Sequence, residues 1–217
     1  MMARIFLQVK AAAMHPGIEH DLQAYGRWCQ GIWIGSPRSP QEFDERDFTI
    51  MSLGLGGEVG EVMGLVEAAA GGGAVDRTQA IKELGDVFYY WAMLCRALTL
   101  DPWRCWQLAL PGDVGLPPGV DQAAAALVHH GKAVQPQINP FSLSSRCGEV
   151  LEQLKKRVRD DTFDPDRFAL AMGRLAQAWC AMANRFSLRP SDVLRANIDK
   201  VEDRAARGVL RGSGDHR

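Results

Sequence analysis

The sequence lacks an excess of charge of either sign. Its 25 Lys and Arg nearly balance its 26 Asp and Glu, leaving a formal net charge of −1 over 217 residues. Without a basic surplus there is no general electrostatic pull toward nucleic acid or an anionic membrane. Long apolar runs are missing too. The longest, Val87 to Cys95, is far too short to span a bilayer, so no membrane is expected. The N-terminal MMARIFLQVKAAAMHPG has a short apolar run broken by Gln8 and Lys10, a poor match to a signal peptide. Cysteine is scarce and scattered. Cys29, Cys95, Cys105, Cys147 and Cys180 form no CxxC pair, which points to reduced thiols in a cytoplasmic protein. None of the five histidines stands three residues after an acid, which argues against the Glu-x-x-His pattern of di-iron bundles. No segment alternates apolar and polar residues in the manner of a strand, so the chain reads as all-α.

What is present is helical periodicity. Helices are expected from about Glu19 to Trp33, Asp47 to Ala70, Asp76 to Leu98, Pro102 to about Leu110, Val120 to Val134, Ser144 to Arg159, Pro165 to Phe186 and Pro190 to about Arg207. PGDVGLPPG has three prolines and three glycines in nine residues and reads as a linker. The chain divides into an arm over 1–14, a helical unit over 15–110, a linker over 111–119 and a second helical unit over 120–217.

Within the first unit, Glu58 and Glu61 stand three apart, as do Glu83 and Asp86. That spacing puts each pair on one helix face. Such pairs are commonly solvated. Here the first is bracketed by Leu53, Leu55, Val59, Val62, Met63, Leu65 and Val66, and Asp86 leads into VFYYWAML. Four acids facing inward from two packed helices need a cation among them. Mg2+ or Mn2+ suits an all-oxygen environment. Glu58, Glu61, Glu83 and Asp86 are therefore the expected metal ligands.

The two halves echo each other. Gly57-Glu58-Val59 with Glu61 matches Gly148-Glu149-Val150 with Glu152, an offset of 91 residues. Carried forward, that offset sets Arg174 and Gln177 against Glu83 and Asp86, so the second half would have no complete ligand set. Pro102 matches Pro190 after a short deletion. Chance likeness between two amphipathic helix pairs stands beside duplication as an account.

Glu58-Val-Gly-Glu61 followed by Lys82-Glu83-Leu-Gly-Asp86, with the flanking LGLGGEVGEV and KELGDVFYY, resembles the MazG-like all-α NTP pyrophosphohydrolases and their ExxE…ExxD signature. That superfamily includes the dimeric dUTPases and the phosphoribosyl-ATP pyrophosphohydrolases. A second family element, a late helix with Asn, Lys and Arg, resembles ANIDKVEDRAARG through Asn197, Lys200 and Arg204. The first half has Ala109 and Gly112 at the corresponding place, which suggests one composite site across the two units. The resemblance covers 47–100 and 190–208 and is poor elsewhere.

The resemblance implies hydrolysis of a nucleoside triphosphate to the monophosphate and pyrophosphate with two or three Mg2+ or Mn2+ ions. Glu58 or Glu61 would double as the base that orients a water. Lys200, Arg204 and Arg211 would neutralise pyrophosphate, with Lys82 as a further substrate contact, and Asn197 would hold a phosphate or sugar oxygen. Trp28 and Trp33 are placed for stacking on a base, against the commoner role of core packing. His129-His130-Gly131-Lys132 is a weaker phosphate or base contact, and Asn139, Gln135 and Asn184 have donors and acceptors for a base. Some phage relatives hydrolyse dGTP, which makes dGTP or GTP one expected substrate on family analogy alone. A dUTPase, a phosphoribosyl-ATP hydrolase and a non-catalytic helical binding module stay open. A homodimer or homotetramer is expected, in the cytoplasm or, for a phage protein, the host cytoplasm.

Overall fold

The computed structural model describes residues 17–33, 42–134 and 139–209. The arm expected over 1–14, Gln135, Arg211 and the tail around it, and the side chain of Lys132 lie outside the described residues. A short 3-10 turn, Ile18–His20, precedes eight α-helices. These are α1 (Leu22–Ile32), α2 (Glu45–Ala70), α3 (Arg77–Ala97), α4 (Pro102–Leu108), α5 (Val120–Val134), α6 (Phe141–Asp160), α7 (Pro165–Arg185) and α8 (Pro190–Ala206). The chain is an all-α bundle, and no strand occurs among the described residues.

Aspartate starts most of these helices. An N-cap carboxylate accepts from the backbone N–H groups that the first helical turn cannot pair. Asp21 takes Gln23 N at 2.8 Å and Ala24 N at 3.2 Å, so α1 begins three residues after the expected Glu19. Asp44 and Asp47 form a reciprocal capping box that starts α2 at Glu45, two residues early. Asp76, Asp101 and Asp164 cap α3, α4 and α7. Proline occupies the first turn of α4, α7 and α8, where its missing N–H costs nothing. Helix α6 starts at Phe141 rather than Ser144, and α4 stops at Leu108.

Two helices form the centre. α3 packs against α1, α2 and α8, and α7 packs against α4, α5 and α6. They are tied to each other by two reciprocal bonds. Trp91 Nε1 on α3 donates to Met172 O at 2.9 Å, and Trp179 Nε1 on α7 donates to Leu84 O at 2.9 Å. The Phe88 ring lies between the indoles, 4.8 Å from Trp91 and 4.6 Å from Trp179 between centroids. All three side chains are fully buried, and such aromatic clusters dominate core energetics.

The reciprocal tryptophans stand 88 residues apart, as do their acceptors. The same spacing recurs. Thr99 and Ser187 both end their helices in the left-handed region, at φ 53° and 56°. Leu100 N donates to Cys95 O, and Leu188 N to Ala183 O, both at 2.9 Å. A Cβ on Gly85 would come within 2.9 Å of the Asn197 Cβ, and one on Gly173 within 2.0 Å of the Cys105 carbonyl oxygen. The glutamate pairs recur at 91 residues and these contacts at 88. At a spacing of 88, Ala171 falls against Glu83 and Arg174 against Asp86, in place of the Arg174 and Gln177 expected at 91.

The helix that follows each central helix crosses to the other one. α4 packs on α7 and α8 packs on α3. That crossing carries residues 190–206 onto the acids of α3. The proline-rich stretch 111–119 is held in place: Gln107 Nε2 donates to Val114 O at 2.6 Å, and Leu116 N donates back to Gln107 Oε1 at 3.0 Å.

By length and composition one described helix, α2, passes as long and apolar enough to cross a membrane. It carries Glu58 and Glu61 at mid-length, which is costly in hydrocarbon, and it packs on α3 and α6. Its outer face is uncovered, with Leu53 72% exposed.

Candidate metal centre

Oxygens of Glu58, Glu83 and Asp86 lie within 4.8 Å of one another. Glu58 comes from the middle of α2. Glu83 and Asp86 come from one face of α3, one turn apart. The two helices approach closely because glycine stands at the crossing: a Cβ on Gly54 would meet the Tyr90 ring at 2.3 Å.

The three acids differ in surroundings. Glu83 is only 4% exposed, and its carboxylate accepts from Gln79 Nε2 one turn before it. Asp86 is half-buried and receives three bonds. Asn197 Nδ2 donates to Oδ1 at 2.8 Å, and the Lys200 ammonium donates to Oδ1 and Oδ2 at 2.6 and 2.5 Å. Glu58 is half-buried, and its pKa is pushed up to about 8. Loss of hydration is the largest cause, followed by the neighbouring charges of Asp86, Glu61 and Glu83, with Lys200 opposing. Hard oxygen donors gathered in a poorly solvated place, repelling one another, fit a divalent cation.

Glu61 is not part of this triad. It lies one turn beyond Glu58 and is exposed, near enough for its charge to bear on Glu58. Asn197 and Lys200 are brought onto Asp86 from the far end of the chain. Arg204 follows Lys200 by one turn and is half-buried. Lys82 is half-buried on α3 and forms no ion pair among the described residues.

Trp28 and Trp33 belong to the core. They are 4% and 6% exposed, and their indole N–H groups donate to Glu202 Oε1 at 3.2 Å and Asp47 Oδ1 at 2.8 Å. Trp33 stacks on Tyr89, with centroids 6.2 Å apart. Both indoles are packed among core side chains, the commoner role weighed for them. His129 and His130 meet edge to face with each other. Glu149 pairs with Arg146, and Glu152 with Lys155 and Lys156, so the second acid pair is spent on neighbouring cations.

Two contributors were not foreseen. Tyr25, 0% exposed, donates its hydroxyl to Asn197 Oδ1 at 2.8 Å and so fixes which way that amide faces. The two residues are 172 positions apart, and nothing local marks the link. Gly85 gives Asn197 room beside α3. A glycine inside an apolar helix between Glu83 and Asp86 was the available signal, since it weakens the helix unless another backbone must come close.

Over 82 residues the chain is 29% identical to the "Gene 37 protein" of Mycobacterium phage L5, a match spanning 36% of this chain and 72% of that protein. No family model matches the chain, and no solved structure matches it.

Proposed function

We propose that this protein is a metal-dependent hydrolase that cleaves a nucleoside triphosphate to the monophosphate and pyrophosphate. One observation carries the reading: the carboxylates of Glu58, Glu83 and Asp86 converge within 4.8 Å while Asn197 and Lys200 reach Asp86 from the other half of the chain. An acid cluster alone would take a cation. An acid cluster with a lysine and an amide at its edge suits a cation together with a polyanion.

Glu58, Glu83 and Asp86 would hold Mg2+ or Mn2+, with Glu61 at the exposed margin. The bound ion would screen the triphosphate and acidify a water. Glu58 or Glu61 would orient that water and take its proton as the oxygen attacks the α-phosphorus. The bond between the α-phosphorus and the bridging oxygen breaks, and pyrophosphate leaves against Lys200 and Arg204. On the resemblance alone, control of a nucleotide pool is among the roles and dGTP among the substrates.

The test is a hydrolysis panel over all canonical NTPs and dNTPs plus dUTP, with Mg2+ or Mn2+, beside a Glu83→Gln, Asp86→Asn variant. Monophosphate and pyrophosphate, lost in the variant, are expected. Diphosphate and phosphate would sink attack at the α-phosphorus. No turnover by folded protein would favour a phosphoribosyl substrate or a binding module.

A further inference from the structure

Asp86 already has a cation. Lys200 Nζ lies 2.6 Å from one of its oxygens and 2.5 Å from the other, so the ammonium straddles the carboxylate that is expected to hold a metal. The pair is partly sheltered, with the two side chains 16% and 24% exposed. A divalent ion on Asp86 would face a full positive charge at contact distance, poorly screened. We propose that Lys200 is a resident counter-ion of Asp86 that competes with the metal and gives up the carboxylate only to a polyphosphate, so that the site takes metal and polyphosphate together. This rests on the metal-centre reading above and adds an order of loading to it.

The surroundings separate a part that stays from a part that moves. Asp86 Oδ1 also accepts from Asn197 Nδ2 at 2.8 Å, and Asn197 is held by the Tyr25 hydroxyl at 2.8 Å. Tyr25 and Asn197 are 0% and 1% exposed, and Gly85 lets Asn197 sit against α3. The carboxylate therefore keeps its aim without the lysine. Lys200, by contrast, has a four-carbon stem with an ammonium that can turn toward any nearby anion. A polyphosphate offers it a replacement partner, and a free metal ion does not. By reciprocity, the metal then raises polyphosphate affinity by the factor with which polyphosphate raises metal affinity.

The experiment is Mn2+ binding by equilibrium dialysis, with and without a non-hydrolysable α,β-methylene nucleoside triphosphate. Wild type, Lys200→Met and Lys200→Arg are compared, each checked for folding by circular dichroism. Lys200→Met is expected to bind Mn2+ alone about ten-fold more tightly than wild type and to lose the gain from the analogue. Lys200→Arg, which keeps a cation on Asp86, is expected to stay near wild type. Should Lys200→Met not fold, Lys200→Gln serves in its place. Equal or weaker Mn2+ binding on loss of the charge would overturn the counter-ion role and leave the metal centre standing. No Mn2+ on any variant, with or without the analogue, would overturn the metal centre itself.

Discussion

Two corners of this molecule share a frame and differ in chemistry. In one, α8 crosses onto α3 at Gly85, and Asn197 and Lys200 meet Asp86. In the other, α4 crosses onto α7 at Gly173, where the counterparts are Ala109, Gly112 and Arg174. Beside each crossing glycine, the carbonyl of the preceding residue accepts at 2.9 Å from a tryptophan of the other central helix. The close approach of helices is thus a property of the frame, and the acids are an addition to one corner. The second corner shows the frame without the acids: Cys105 O and Ala109 lie directly over the glycine.

The sharpest break in this comparison is Gly173→Ala. Its Cβ would meet a backbone oxygen at 2.0 Å, with no side chain free to give way, so a loss of about 3 kcal/mol is expected in denaturant unfolding. Gly85→Ala should cost less, about 1–2 kcal/mol, because its Cβ would come only to 2.9 Å of the Asn197 Cβ. It should nevertheless lower hydrolysis more than Gly173→Ala does, since Asn197 shifts off Asp86. Equal activity losses in the two alanine variants would erase the distinction between the corners.

Titration sharpens it further. Glu58 rises from its ordinary 4.5 to about 8, so between those values the folded chain holds a proton that the unfolded chain has released. Stability from this group is therefore greatest at low pH and falls as pH rises through the window. Without metal, the melting temperature of wild type should fall more steeply from pH 5 to 8 than that of Glu58→Gln. Added Mn2+ should reverse the trend, because the metal takes the deprotonated carboxylate. The smallest effect belongs to the other half. Glu149→Gln with Glu152→Gln removes pairs with Arg146, Lys155 and Lys156 that lie away from the acid triad, and should leave hydrolysis unchanged.

Most of the fold could be read directly. Helical periodicity, proline at first turns and aspartate caps are local signals, and they place the eight helices to within a few residues. The spacing of Glu83 and Asp86 put both acids on one face, and the apolar flanks of Glu58 turned it inward. Other features were hidden for physical reasons. Glu61 shares the face of Glu58 by spacing, yet it is exposed while Val62 beside it is fully buried, and spacing alone does not report how far a neighbour covers a helix face. Trp28 and Trp33 looked the same whether stacking on a ligand or filling the core. The 88-residue spacing that sets Arg174 against Asp86 is carried by contacts between helices, which no local pattern reports. The Tyr25–Asn197 link depends on α8 crossing the bundle.

That crossing also sets a clock. Asn197 and Lys200 are translated after all the acids they meet and after seven of the eight helices. As the chain emerges from a ribosome, Glu58, Glu83 and Asp86 can gather while their cationic and amide partners are still unmade. During that interval Asp86 lacks both the ammonium of Lys200 and the amide of Asn197. A proton or a divalent ion would stand in for them at that carboxylate until the last helix arrives.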